Sequence, residues 1–212
     1  DADLGASALA QNPTAALWRG YAAAQRQDWA NARSQLERGA GALEDCSPTW
    51  RARFQLALAN AAFELGDYAA ADSAQSAAIG EAPDQDLRLQ AVLLQARIAA
   101  ARNDNVRALQ MLDELSHVRD EETAVRATLE GIRIRLATGA MRPIDAVEPL
   151  EALRFRWRGD SIELTTISML GDAYSQQGRW RDALEVMQTA ADRFQNDPAA
   201  RERMVRSNLR LV

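Results

Sequence analysis

Lysine is absent from this chain of 212 residues; all 25 basic side chains are arginine. A chain-wide absence of that kind points to a genome of high GC content, in which arginine codons replace lysine codons, and so to a bacterium. Selection for bidentate guanidinium contacts could favour arginine at particular sites but does not account for the whole chain. Cysteine occurs once, at Cys46, so no internal disulfide can form, and this residue reads as a tolerated small side chain in a loop. Histidine also occurs once, at His117. A single histidine and a single cysteine leave no zinc-ligand set and no Ser-His-Asp constellation. Glycine and proline are few, at 11 and 6 residues, and β-branched residues form no strand-like run. The expected state is therefore helix almost throughout. No apolar stretch approaches the roughly 20 residues that span a bilayer, and no secretory signal opens the chain. With no glycine-rich phosphate loop after a strand, and with Glu121-Glu122 sitting where they would cap a helix, the expectation is no catalysis, no cofactor and no metal.

A net charge of −5 argues against nucleic acid as a partner, because neutralising a phosphate backbone needs clustered cations. The chain starts Asp1-Ala2-Asp3 and stops at Leu211-Val212 in mid-pattern, and is read as part of a longer protein. Bacterial cytoplasm and periplasm both suit a chain without disulfides.

What the sequence does contain is a period. Small residues after tight turns fall at Ala32, Ala71, Ala108, Ala146 and Ala183, separated by 39, 37, 38 and 37 residues. Recurrence at that spacing means stacked helical hairpins in a single repeat domain covering 1–212. The expected hairpins cover 13–43, 48–80, 84–116, 120–157 and 160–194, and a further helix is expected over 198–211. Leu4 to Ala10 reads as the tail of a preceding helix. Asn12-Pro13, Ser47-Pro48 and Asp197-Pro198 each place a capping side chain before proline at the first helical position. Asp160 and Glu163 are spaced as a capping box. Gly66-Asp67 and Asn103-Asp104 supply a residue suited to the left-handed end of one helix, then a cap for the next. Hairpin four departs, with a longer turn from Gly139 to Pro143. His117 falls near the end of a helix, where a cation suits the dipole.

These features, together with Leu170-Gly171, Tyr174, Gly178, Trp180 and Ala183, resemble the tetratricopeptide-repeat superfamily. The family's small residue at position eight falls on Gly20, Ala59, Ala96 and Gly171, and its position twenty on Ala32, Ala71, Ala108 and Ala183. Hairpin two adds Leu58, Gly66 and the closing Pro83. The period exceeds the family's 34 residues, and hairpin four carries Gly131 and Ile132 where the pattern has a Leu-small pair. The resemblance implies an all-α fold: a right-handed α-solenoid of about five TPR-like helix-turn-helix repeats plus terminal helices. Trp29, Tyr68 and Trp180 share the place just after the turn and are expected as wedges between hairpins.

In that family the first helices line a concave groove that accepts a peptide or a partner's helix. By resemblance, position nine puts Tyr21, Asn60, Arg97, Arg133 and Asp172 on this groove, and position two puts Arg53, Gln90 and Arg126 there. The expected partner-binding set is Arg53, Asn60, Arg97, Arg126 and Arg133, suited to the carboxylates of an acidic peptide. The competing reading is surface arginines paired with nearby Glu or Asp. The family's Lys-Asn clamp for C-terminal carboxylates is absent, since the matching pairs are Leu17-Tyr21 and Leu56-Asn60. Arg154-Phe-Arg-Trp-Arg158 is expected to bury Trp157 with Leu150 and Leu153 while its arginines reach out to solvent. The function expected is a non-catalytic scaffold binding a protein or peptide, with no nucleic acid and no membrane insertion. The alternative is a module that self-assembles through repeat ends or its convex face into a homo-oligomer.

Overall fold

A computed structural model of the chain describes residues 9, 11–82, 84–158 and 161–193. Four expectations therefore lie outside the described residues: the helix over 198–211 with its cap at Asp197, most of the Leu4–Ala10 segment, Pro83, and the Asp160 half of the capping box.

Among the described residues the structure is all-α and has no strand. The ten α-helices are α1 (Pro13–Gln25), α2 (Trp29–Gly39), α3 (Pro48–Glu64), α4 (Tyr68–Glu81), α5 (Gln85–Ala101), α6 (Asn105–Ser116), α7 (Glu121–Ala137), α8 (Pro143–Arg156), α9 (Ser161–Gln176) and α10 (Trp180–Arg193). A short 3-10 turn, Ala40–Ala42, follows α2. Within each of the chain's two compact units, helices that follow one another pack in hairpin-like contacts.

The turns explain the regular spacing. In four of them the backbone N–H of the residue opening the next helix returns to a carbonyl five residues earlier: Asp28 to Ala23, Asp67 to Ala62, Asp104 to Ala99 and Arg179 to Tyr174. That bond closes a Schellman motif, which needs a left-handed residue at its tip. Gly66, Asn103 and Gly178 supply it at φ of 80°, 65° and 72°, and in hairpin one Gln27 does so at 60°. Gln27 is a departure from the Gly-or-Asn expectation and carries the strain of a side chain in a region that disfavours it. Asp28, Asp67 and Asp104 then accept a hydrogen bond from the N–H three residues on. Hairpin four closes differently, with Met141 N–H bonding Arg135 O, and Pro143 restarts the chain as α8.

Two expectations about helix starts diverge. Asn12 caps α1 through Ala15 N–H at 3.0 Å, but the Ser47 side chain makes no capping bond. Extended backbone at Ser47 followed by the fixed φ of Pro48 is enough to begin α3.

The chain divides into two compact units, Asp1–Met111 and Leu112–Val212, with the division inside α6. In the first unit each helix packs on the next from α1 to α5, and α3 also meets α1 and α5. First helices of consecutive hairpins are thus neighbours along one side. Small residues make this close approach possible: Ala32, Ala59, Ala71 and Ala96 are completely buried. Leu17, Leu36 and Phe54 fill one part of the core, and Leu56, Leu94 and Ile98 another. Gln75, buried to 0% exposure, donates from Nε2 to Ala91 O at 3.0 Å and ties α4 to α5. Arginine–carboxylate pairs clip hairpins together at the surface, as in Arg33–Asp67 at 2.8 Å and Arg102–Asp72 at 3.1 Å.

In the second unit α7, α8, α9 and α10 pack in order, and α7 also meets α9. Val125, Ile132, Leu150, Leu170 and Val186 form its core, with Ala146 and Ala183 buried at the helix crossings. Gly131 is not a close-contact glycine. A Cβ there would meet only the Arg135 side chain, whereas at Gly171 it would meet Met187 of the partner helix. The pattern's small-residue position in α7 is held by Ile132, which is buried, and Gly131 stands where the pattern has Leu.

Candidate functional site

The first unit carries a hollow of about 380 Å³, built on the side where α1, α3 and α5 lie next to one another. Its floor is apolar because small and branched residues face inward there: Ala24 from α1, Leu56 and Ala57 from α3, and Leu87 from α5. Two aromatic side chains wall it, Tyr21 from α1 and Trp29 from the start of α2. Its rim is polar, with Gln25, Arg53, Asn60 and Gln90. No carboxylate lines it, in a chain whose net charge is −5.

Among the described residues Arg53 is the only charged side chain of the lining. Its guanidinium stacks 4.9 Å over the Trp50 ring, and among the described residues it makes no ion pair. Helix geometry accounts for the stacking: residues three apart on α3 share a face, so Trp50 underlies Arg53. Trp50 is held in turn by Trp18, Tyr21 and Phe54, at ring-centroid distances of 4.3, 5.7 and 5.6 Å. The charge therefore rests on a rigid aromatic platform. Asn60 donates from Nδ2 to Leu56 O at 2.9 Å, which fixes its amide and leaves its carbonyl oxygen turned from that bond.

Four residues that family resemblance assigned to a groove, Tyr21, Arg53, Asn60 and Gln90, thus meet at one hollow. Arg97 belongs to the same unit but is not part of that lining: it pairs with Glu64 at 2.9 Å and lies 4.4 Å over Phe63. Arg126 and Arg133 belong to the second unit. Each pairs with a carboxylate of its own helix, Arg126 with Glu122 at 2.8 Å and Arg133 with Glu130 at 2.5 Å. Those pairings are what the ordinary surface reading of these arginines expects.

Trp29, Gln25 and Leu87 are lining residues that the groove positions did not include. Trp29 was expected as a wedge; it is half-buried against the core and also walls the hollow. Tyr68 packs as a wedge should, 5.7 Å from Phe63 and against the α3–α5 core. Trp180 does not, being 60% exposed, because no described helix stands beyond α10 to cover it. A signal for the platform was present in the sequence: Trp18 and Tyr21, then Trp50 and Phe54, sit three and four apart on consecutive first helices.

At the end of α8, Leu150 and Leu153 are buried and Trp157 packs against the core, as the spacing implied. Phe155 stands 62% exposed, with the Arg154 and Arg158 guanidiniums at 5.0 and 5.6 Å from its ring, and Arg156 pairs with Glu121. His117 follows α6 and bonds Asp113 O through Nδ1 at 2.7 Å, covering a terminal carbonyl. No group of His, Cys, Asp or Glu among the described residues is placed to hold a metal ion. No helix among them is long and apolar enough to cross a membrane.

No family model matches the chain, and no curated protein matches it either. The likeness to tetratricopeptide repeats rests on the chain's own residues.

Proposed function

We propose that this chain is a TPR-like repeat scaffold, of five hairpins in right-handed progression, that binds a peptide or protein segment and performs no reaction itself. The observation that supports this reading best is the hollow on α1, α3 and α5. It combines buried apolar residues, side-chain amides and an arginine that has no carboxylate partner among the described residues. A volume of about 380 Å³ falls within the range of ligand sites, which hold apolar groups on the floor and orient them with a few polar ones. Helical hairpins make a stiff support for such a surface, so little ordering is required on binding. Charge complementarity favours an acidic segment.

Panning a library of random displayed peptides on the protein tests the reading. Peptides should be enriched, and Arg53→Glu should lose them without altering the helical circular dichroism. Enrichment of nothing, or of peptides that bind Arg53→Glu and the Arg97→Glu/Arg133→Glu pair as well as the original, overturns it.

One observation favours the second reading, self-assembly. Trp180 and Leu184, one turn apart on α10, are 60% and 57% exposed. Light scattering over a concentration series, with Trp180→Ser as the comparison, decides whether that face joins copies. A mass that stays monomeric throughout removes the second reading.

A further inference from the structure

We infer that the hollow on α1, α3 and α5 recognises a two-part determinant in an internal stretch of its partner: a large apolar side chain seated between Tyr21 and Trp29, with an Asp or Glu beside it bound by Arg53. This rests on the scaffold reading and specifies the ligand. Three features of the lining carry it.

First, the Arg53 guanidinium lies 4.9 Å over the Trp50 ring, so one face of its planar fork is backed by an aromatic surface. A carboxylate is the group that matches such a fork with two parallel hydrogen bonds. Arg53 has no such partner among the described residues, while Arg97, Arg126 and Arg133 each have one. Second, the buried Ala24, Leu56, Ala57 and Leu87 give the hollow an apolar floor, and Tyr21 and Trp29 belong to the same lining. Water held there is released when an aliphatic or aromatic group enters. A charged residue alone would leave that floor wet, and an apolar residue alone would leave Arg53 unmatched. Third, amides from three consecutive hairpins line the hollow with Arg53: Gln25 from hairpin one, Asn60 from hairpin two and Gln90 from hairpin three. Side-chain amides pair with the N–H and C=O of a peptide backbone, and their supply by three consecutive hairpins suits a chain that runs across all three. The carboxylate is therefore that of a side chain and not of a C-terminus.

The test uses synthetic peptides with acetylated and amidated ends, made to the sequences that panning enriches and titrated against the whole protein by fluorescence anisotropy. Expected are an acidic residue and a large apolar residue within a few positions of each other. Asp→Asn, or Glu→Gln, in the peptide should weaken binding about tenfold or more, the scale of a charge-assisted bond. Replacing the apolar residue by Ala should weaken it similarly, and Arg53→Gln should erase the difference between acid and amide peptides. Tyr21→Ala should reduce binding of the apolar determinant while the acid-to-amide ratio is kept. Peptides that bind at the hollow, lost in Arg53→Glu, but carry no acidic residue overturn the two-part determinant and leave the scaffold reading standing. Peptides that need a free C-terminal carboxylate overturn the internal-stretch assignment. Absence of any enriched peptide overturns both. Thermal unfolding of each variant, measured alongside, separates lost binding from lost fold.

Discussion

Gly20 and Gly171 occupy equivalent places in hairpins one and five, yet alanine should have opposite effects at the two. A Cβ on Gly20 would lie 2.6 Å from Leu36 Cγ, 2.9 Å from Leu36 N and 3.0 Å from Ala32 O. Two of those atoms are backbone of α2, so relief requires the helices themselves to separate. On Gly171 the close atom is the terminal carbon of Met187, also at 2.6 Å, and the next contacts are at 3.5 and 3.7 Å. A methionine side chain has three rotatable bonds and can swing its tip away. Overpacking against fixed atoms costs about 1–3 kcal/mol. Against this, alanine in a helix interior gains about 1 kcal/mol over glycine. Gly20→Ala should thus be destabilising by about 1 kcal/mol, and Gly171→Ala neutral or stabilising by a few tenths to about 1 kcal/mol. The gap between them is about 2 kcal/mol, or on the order of 10 °C in Tm for a unit near 100 residues. Urea unfolding followed by tryptophan emission reads both units, through Trp18, Trp29 and Trp50 in the first and Trp157 and Trp180 in the second. A Gly20→Ala protein as stable as the original, or a larger loss at Gly171, would refute the helix-contact argument.

Gln75→Ala should cost about 2 kcal/mol, from the bond to Ala91 O together with the space left in a fully buried site, and equilibrium unfolding checks it. Asp120→Ala should cost about 1 kcal/mol by removing the α7 cap, which accepts from Thr123 N–H at 2.8 Å, while Asp120→Asn should retain most of it. Acid should destabilise the fold in a defined direction. The Asp67 carboxyl is held below its ordinary value by the Ala70 N–H and then by Arg33, Asp120 by Thr123, Asp145 by Arg142, and Glu121 by Arg156. Because these folded-state values are depressed, their stabilisation is fully present above the unfolded carboxylate range, about pH 4, and disappears as pH falls through the folded values. A circular-dichroism titration should show unfolding beginning beneath about pH 4, and less steeply in Asp67→Asn. A transition already complete at higher pH would contradict this account.

Turn chemistry made the hairpins legible. Asp28, Asp67 and Asp104 each follow a residue that closes the preceding helix, so caps and period could be read without any long-range information. Gln27 was harder, because glutamine has no special affinity for the left-handed region; the Schellman bond from Asp28 to Ala23 holds it there. Part of the candidate site was legible as well. Tyr21, Asn60, Arg53 and Gln90 are named by family resemblance, and the structure brings them to one hollow. Periodicity marks the pairs within a helix, Arg126–Glu122 and Arg133–Glu130, but not those between hairpins. Glu64 lies 33 residues from Arg97, and nothing local marks the pair.

The order of caps, turns and small residues determined by itself that this chain makes helices, because that choice is settled within one turn of backbone. Which side chains share a hollow was decided only when α1, α3 and α5 packed side by side. Trp29 shows the difference: its place after a turn marks it for the contact between hairpins, but only the approach of α3 and α5 puts it in one lining with Arg53 and Asn60. Contacts across hairpins depend on helix spacing and register, which the sequence constrains through alanine and glycine but does not spell out.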